Sequence, residues 1–351
     1  MNNSKNKSSL NFLNENGSSG ILDSSHSTKN RIYQTELGEA WVGNSRTFMK
    51  KIASNSLDLV ITSPPYALTK KKSYGNVEKT DYLKWFRGFA TEIHRVLKDS
   101  GSFVLNIGGS WVSSEPVKSL YVYKLLLDLC EPHGNRSDKG KFFLAQDFYW
   151  FNPAKIPNPT QWVTVKRVRV KDAVEHVWWL SKTPNPKADN RRVIAPYSKS
   201  MERLIRTGRY NKGMRPSGWQ VSDDWAVNNK GAIPPNLLPP DLLESPHEQP
   251  NLGIDEQFNM FAESNTSSND LYRSKCRENG INSHPAIFPK VLPEFFIRYL
   301  TEPGDIVLDP FAGSNTTGKA ADDLGRRWVS VDKDRNFVKA SRFRWEDGQT
   351  F

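Results

Sequence analysis

The chain has 351 residues, which is enough for one large domain or two ordinary ones with a sizeable core. Its formal net charge of +11 predicts a polyanionic partner, either nucleic acid or an anionic membrane surface. No apolar run reaches spanning length, which argues against a transmembrane role.

The N-terminal residues 1–30 are rich in Ser and Asn and lack the continuous apolar core of a secretory signal, so they are predicted to form a disordered tail. The two cysteines, Cys130 and Cys276, cannot make a disulfide framework and cannot alone make a zinc site. We therefore expect an intracellular protein without a metal centre.

From residue 31 onward the hydrophobic pattern becomes regular. It predicts a turn at 43–45, a short helix at 48–52, amphipathic helices at 81–98 and 119–130, and buried strands at 57–61, 102–108, 142–151 and 173–181. Alternating strands and helices predict a mostly parallel sheet flanked by helices.

The character changes between residues 183 and 282, which are rich in Pro, Asn and Arg and show no sustained periodicity. Within this stretch, residues 187–215 hold nine Lys or Arg against only Asp189 and Glu202, with aromatic residues among or just after them. Such a mixture is typical of a nucleic-acid surface, and the alternative is an irregular solvated insertion.

Periodicity resumes near the C-terminus, where helices are predicted at 291–300, 315–324 and 336–345 and strands at 305–309 and 327–332. The residues from 305 to 332 read as a βαβ unit with a glycine-containing turn at 310–314. Asp332 stands at the tip of its second strand.

A rigid corner follows the strand at 57–61. Pro64 and Pro65 forbid further ladder pairing, so the strand must stop at Ser63. The two fixed φ angles leave the Ser63 hydroxyl and the Tyr66 ring preorganised beside several carbonyl acceptors. The alternative reading is a plain proline turn at the end of a strand.

In a βαβ unit the ligand lies at the carboxyl ends of the strands, and an acid such as Asp332 is placed for ribose hydroxyls. Gly313 and Gly318 do not make the three-glycine dinucleotide fingerprint, so an adenosyl ligand without a pyrophosphate fits better than NAD. A purely structural glycine turn is the alternative.

Three motifs together carry a family resemblance. Thr-Ser-Pro-Pro-Tyr at 62–66 and Asp-Pro-Phe-Ala-Gly-Ser-Asn-Thr-Thr-Gly at 309–318 resemble the two signature motifs of DNA amino-methyltransferases, in the order of the β group. His-Pro-Ala-Ile-Phe-Pro at 284–289 is similar to the family motif that precedes the cofactor turn. The resemblance covers about 32–182 and 284–340, and one departure is Asn44, which stands where many relatives have an acid.

The resemblance implies a class I methyltransferase-like, Rossmann-like α/β fold with an inserted target recognition region. The expected division is a disordered tail at 1–30, a catalytic half at 31–182, the recognition region at 183–282 and a cofactor-binding half at 283–351. It also implies methyl transfer from S-adenosylmethionine to a base flipped out of duplex DNA.

The serine at position 63 resembles the cytosine-N4 branch, so the implied product is N4-methylcytosine, made in a restriction-modification system. Adenine-N6 methylation remains an alternative, as does a catalytically inert DNA-binding protein on the same scaffold. RNA as the substrate also stays open. The implied partners are double-stranded DNA in a prokaryotic cytoplasm and a restriction endonuclease with the same target, while the sequence leaves a homodimer open.

The resemblance assigns a catalytic set and a cofactor-binding set, and the basic residues of the sequence supply candidates for DNA contact. The catalytic set is Ser63, Pro64, Pro65 and Tyr66. The cofactor-binding set is His284, Phe288, Pro289, Asp309, Phe311, Gly313, Ser314 and Asp332. The candidates for phosphate contact or base readout are Lys70, Lys71, Lys72, Lys166, Arg167, Arg169, Arg191, Arg192, Arg203, Arg206 and Arg209.

Overall fold

The computed structural model describes residues 28–67, 81–131, 140–152, 155–208, 228–238, 271–287 and 289–345. Its strands are β1 (Arg31–Gln34), β2 (Gly38–Val42), β3 (Leu57–Thr62), β4 (Leu97–Ile107), β5 (Phe143–Phe151), β6 (Val174–Ser181), β7 (Leu237–Leu238), β8 (Ile306–Asp309) and β9 (Arg327–Asp332). Its α-helices are α1 (Ser45–Met49), α2 (Tyr82–Val96), α3 (Tyr121–Cys130), α4 (Lys199–Thr207), α5 (Leu271–Glu278), α6 (Val291–Leu300), α7 (Thr316–Asp323) and α8 (Arg335–Ser341). No helix in this part of the chain is long and apolar enough to cross a membrane.

The strands form one sheet in the order β1-β2-β9-β8-β3-β4-β6-β5-β7. The central run from β2 to β4 is parallel, whereas β6 lies antiparallel between β4 and β5. Chain order reverses between β8 and β3, where Leu59 pairs with Val307 and Val60 with Leu308. This reversal is a topological switch point, and ligands of open α/β sheets bind at the carboxyl ends of the strands there.

Helices cover both faces of the sheet. One apolar cluster joins α1, α2 and α3 to alternate strand residues such as Val60 and Phe103, and a second joins α6, α7 and α8 to Leu59, Ile61 and Val104. Burial on both faces explains why β3 reads as a continuous apolar run rather than an alternating one.

Asp58 is the charged exception within β3. Its side chain pairs with Lys98 Nζ at 2.7 Å, and its second oxygen accepts a hydrogen bond from the Ile306 backbone N at 3.0 Å. Both carboxylate oxygens are therefore satisfied, and the second bond fixes β8 beside β3 at its amino end.

The predicted strands and helices of the sheet core agree with the structure, and the mostly parallel sheet is confirmed. The predicted helix at 48–52 lies earlier, at Ser45–Met49, because the Asn44 side chain accepts from the Thr47 backbone N at 3.2 Å and caps the helix there. The predicted closing helix at 336–345 ends at Ser341 and continues as a 3₁₀ turn.

Some regular elements were not predicted. Strands β1 and β2 gain their order from non-local pairing, β2 with β9 and β1 with β2. Helices α4 and α5 lie in the stretch that was expected to be irregular. In α4 no residue is buried, although Met201, Leu204 and Ile205 stand at helical spacing; Ser198 caps its start and Gly208, at φ 60°, ends it.

Candidate active site

A cavity of about 460 Å³ opens at the carboxyl ends of β3 and β8. Its wall contains Ser63 and Tyr66 from the corner after β3, and Gly313 from the turn after β8. Asp332, at the end of β9, lies in the same wall. The pairing of β3 with β8 thus brings together two corners that were predicted separately and stand far apart in the chain.

The corner after β3 is held by contacts on several sides. The Pro65 carbonyl accepts a hydrogen bond from the buried Tyr82 hydroxyl at 2.9 Å, which ties the corner to the start of α2. The Tyr66 ring lies directly over Gly108, where an added Cβ would come within 2.6 Å of a ring carbon. Glycine at position 108 is therefore what leaves room for the ring.

Four polar side chains converge at this corner. Asn106 Oδ1 lies 3.1 Å from Ser63 Oγ and 2.8 Å from Tyr66 Oη, and the two hydroxyl oxygens are 3.1 Å apart. Glu175 Oε2 lies 2.8 Å from Tyr66 Oη. Burial, and then the neighbouring Glu175 charge, raise the pKa of Tyr66 well above its usual value, so the phenol keeps its proton.

Asp309 connects the two corners. Its buried carboxylate accepts from Thr62 Oγ1 at 2.6 Å, from Thr317 Oγ1 at 2.8 Å and from the Phe311 backbone N at 3.0 Å. Burial raises the pKa of Asp309 to about 6, while the hydrogen bonds act in the opposite direction. Asp309 therefore links the last residue of β3 to the cofactor turn as well as lining the cavity.

The turn after β8 depends on glycine for two reasons. Gly313 has φ 50°, and a Cβ there would lie 3.1 Å from the His284 ring. Its backbone N donates to Asp332 Oδ2 at 2.9 Å, which joins the turn to the end of β9. Within the same motif, the Gly318 backbone N donates to Asn315 Oδ1 at 3.1 Å, and an added Cβ at position 318 would lie 2.3 Å from that oxygen.

Only some of the other predicted cofactor residues line the cavity wall. The wall includes His284, Phe311 and Ser314, whereas Pro289 is buried before α6 and is not part of it. Phe311 packs on Phe89 with ring centroids 4.9 Å apart. Phe288 lies outside the described residues.

The Ser314 part of the turn is supported from the C-terminal side. Arg344 donates to the Ser314 carbonyl at 2.5 Å and to its hydroxyl at 2.9 Å. The same guanidinium lies 4.8 Å from the ring centre of Tyr272, whose hydroxyl accepts from the His284 backbone N at 3.0 Å. Helix α5 and the C-terminal turn therefore hold the cofactor loop together.

The predicted DNA contacts are spread over the surface. Arg167 is exposed, Arg169 is exposed and donates to the Pro116 carbonyl at 3.0 Å, and Arg203 and Arg206 are exposed on α4. Lys166 is exposed and lies 4.7 Å from the ring centre of Trp162. Arg191 and Arg192 form ion pairs with Asp189, and Arg192 also pairs with Glu302 before β8, at the end of that strand away from the cavity. Lys70, Lys71, Lys72 and Arg209 lie outside the described residues.

Sequence reasoning missed several residues of the site, among them Asn106, Glu175 and Trp150, all of which line the cavity. Asn106 interrupts the buried apolar run 103–107 of β4, and Glu175 is buried at the start of β6. A polar residue inside a buried strand is the signal that could have identified the first two, since such groups need a partner or a function.

Comparison with known proteins fits this geometry. Residues 57–343 match the profile of a family described as DNA methylase. The chain is 42% identical to the Type II methyltransferase M.PvuII of Proteus hauseri, over 91% of this chain and 87% of that protein. It is 26% identical to the Type II methyltransferase M.BglII of Bacillus subtilis, over 91% of this chain and 73% of that protein.

A solved structure agrees with the sequence matches. The structure described as PvuII DNA methyltransferase (cytosine-N4-specific) superposes with a TM-score of 0.67 and 38% identity, covering 92% of this chain and 91% of that one. The resemblance expected from the motifs is thereby confirmed. With its fold, the cavity at the switch point and these matches, the chain belongs to the DNA methylase family.

Proposed function

We propose that this protein transfers the methyl group of S-adenosylmethionine to the N4 amine of a cytosine flipped out of duplex DNA. The observation that carries the proposal is one cavity lined both by Ser63 and Tyr66 and by Gly313 and Asp332. Methyl transfer between two substrates requires both to reach one enclosed space. The similarity to a cytosine-N4-specific enzyme supports the choice of base.

The cofactor end fits an adenosyl ligand. The cavity volume lies within the usual range for a small-molecule site, and its aromatic side chains Trp85, Phe89 and Phe311 offer apolar surface to an adenine. Each oxygen of Asp332 accepts one backbone N–H, from Gly313 and Asp334, and keeps capacity for a ribose hydroxyl. When bound, S-adenosylmethionine supplies an electrophilic methyl group.

At the end of the cavity that contains Ser63 and Tyr66, the side chains and carbonyls can activate the weakly nucleophilic amine of the base. The lone pair of an aromatic amine is delocalised into the ring, and hydrogen bonds accepted by Ser63 Oγ and the Pro64 carbonyl draw it towards tetrahedral geometry. Flipping the base costs a few kcal/mol, and stacking on the Tyr66 ring recovers about 1–3 kcal/mol. Since its hydroxyl is hydrogen-bonded and its ring rests on Gly108, Tyr66 needs little ordering when the base arrives.

Duplex DNA would be held by the positive surface charge of the protein. The net charge of +11 supports electrostatic binding, and the exposed Arg203 and Arg206 of α4 lie in the proposed recognition region at 183–282. Arg167 and Arg169 are further candidates. By analogy with its Type II relatives, the enzyme would work in a prokaryotic cytoplasm beside a restriction endonuclease that shares its target.

Nucleoside analysis tests the proposal. Unmethylated bacterial genomic DNA is incubated with the protein and methyl-labelled S-adenosylmethionine, digested, and examined by mass spectrometry, with N4-methylcytosine as the expected product. N6-methyladenine in its place would overturn the base assignment, and unmodified DNA would overturn the enzymatic role.

A serine variant adds a mechanistic control. Ser63→Ala is expected to slow methyl transfer by about 10²-fold, as loss of one transition-state hydrogen bond does elsewhere, while cofactor affinity stays within twofold. Ser113→Ala, at an exposed position in the loop after β4, should change neither quantity. Equal loss of cofactor binding and transfer in Ser63→Ala would assign this serine to folding.

A further inference from the structure

Proton positions at the corner follow from the number of available hydrogens. Asn106 Nδ2 donates to the His176 carbonyl at 3.2 Å, which turns Asn106 Oδ1 towards the two hydroxyls as an acceptor. Ser63 and Tyr66 carry one proton each, and an ionised carboxylate can only accept. Two protons cannot serve all four contacts at once, and when Tyr66 donates to the charged Glu175, the Ser63 proton is left to bind Asn106 Oδ1.

These proton positions favour a bound base that presents a hydrogen-bond donor to Ser63 and Tyr66. With both protons directed into the protein, the hydroxyl oxygens of Ser63 and Tyr66 present only lone pairs to the cavity. An amine can donate to them, whereas a carbonyl oxygen at the same place would meet acceptors and lose its hydrogen bonds.

The reaction also leaves a proton to remove. An amine that gains a methyl group becomes positively charged and must lose one N–H proton to become the neutral product. Of the carboxylates in the cavity wall, Asp309 already accepts three hydrogen bonds, and Asp332 and Asp334 lie at the cofactor end. Glu175 is the carboxylate joined to the corner, through Tyr66 Oη.

Lys155 forms an ion pair with this carboxylate. Its Nζ lies 3.0 Å from Glu175 Oε1, and the Glu175 side chain is only 9% exposed. Tyr66, Tyr121 and His176 also interact with the Glu175 charge, and burial raises the pKa of both phenols and lowers that of the imidazole. These three groups are therefore neutral near pH 7, and Lys155 supplies the balancing positive charge.

We propose that Glu175 receives the proton released by the methylated amine, through the hydroxyls of Ser63 and Tyr66, and that Lys155 holds Glu175 in its charged form. This inference rests on the proposed function. The amine N–H bond breaks as its proton passes to Ser63 Oγ, the Ser63 proton turns from Asn106 to Tyr66 Oη, and the Tyr66 proton passes to Glu175 Oε2. The positive charge on the amine and the negative charge on the carboxylate cancel, and no further reactant is required.

The test compares pH profiles of single-turnover methyl transfer, with enzyme in excess over unmethylated genomic DNA and saturating labelled S-adenosylmethionine. The wild-type rate should fall at acid pH as Glu175 becomes protonated. Glu175→Gln should lower the rate about 10²-fold and remove that acid limb. Lys155→Met should retain most of the rate at alkaline pH but move the limb to higher pH, because the carboxylate loses its stabilising charge.

The controls separate a proton route from a structural role. Glu115→Gln, at an exposed position in the loop after β4, should behave like the wild type, and cofactor affinity should change less than twofold in every variant. A wild-type rate in Glu175→Gln, or an unmoved acid limb in Lys155→Met, would overturn the inference. If the wild type makes no N4-methylcytosine, the proposed function fails; if it does and the profiles coincide, only the proton route fails.

Discussion

Replacing Gly108 by alanine tests whether the position of the Tyr66 ring controls methyl transfer. The new Cβ would lie 2.6 Å and 2.8 Å from two ring carbons. Ordinary carbon contacts are about 3.5–4.0 Å, so the ring or strand β4 must shift by about 1 Å. Overpacking of this kind costs about 1–3 kcal/mol of unfolding free energy.

Displacement of the Tyr66 ring would also break the hydrogen bonds of its hydroxyl. Tyr66 Oη lies 2.8 Å from both Asn106 and Glu175, and a displacement of about 1 Å takes it beyond hydrogen-bonding distance. Misplacement on this scale can lower a rate about 10²-fold. We therefore expect slow single-turnover methyl transfer in Gly108→Ala, with cofactor affinity nearly unchanged because the turn after β8 is untouched.

Gly109→Ala is the matched control. It is the next residue, it has no positive φ, and its Cβ would meet only Lys118 Nζ at 3.8 Å. Rapid-quench assays measure the rate of methyl transfer in both variants, and urea unfolding measures their free energy of unfolding. Full activity in Gly108→Ala, or an equal loss in Gly109→Ala, would refute the reasoning that the ring needs this space.

Three further changes probe the cofactor end. Asp309→Asn should alter the pH dependence of stability. The pKa of about 6 in the folded protein exceeds the ordinary aspartate value of 3.8, so stability from this group falls as pH rises from about 4 to about 6, by up to ~3 kcal/mol. Urea unfolding of the ligand-free proteins should show the free energy of unfolding of the variant rising relative to that of the wild type over that pH range. A difference in unfolding free energy that does not change with pH would contradict the assignment. Gly313→Ala should cost about 1–2 kcal/mol for its left-handed φ and weaken cofactor binding, whereas Gly325→Ala, at φ 71° with open space around it, should lower stability alone. Arg344→Met removes two hydrogen bonds to Ser314 and should weaken cofactor binding roughly tenfold by calorimetry; unchanged affinity would show that the turn holds its shape without this support.

Sequence patterns predicted the strands that are buried on both faces of the sheet. Strand β3 and strands β8 and β9 are covered on both faces, so their apolar runs identified them, and Pro64 and Gly313 marked the corners that follow. The family motifs then predicted that both corners serve one reaction. The cavity that contains both supports this prediction.

What could not be predicted depends on pairing between distant residues. Asn106 reaches the corner because β4 lies between β3 and the antiparallel β6, which also carries Glu175. Neither the order of these strands nor the register of Asn106 opposite Val177 can be read from local patterns. Likewise, the run of basic residues gave no sign that Arg192 pairs with Glu302, far along the chain.

The pairing of β3 with β8 has a consequence for how the protein folds. Leu59 and Val307 meet in the centre of the sheet, so this contact closes a very long loop of chain. Parallel pairing over such a separation is intrinsically slow, and the centre of the sheet cannot close until the C-terminal part of the chain has been synthesised. Until then the edges of β3 and its neighbours are exposed, which makes the nascent chain the stage most vulnerable to aggregation.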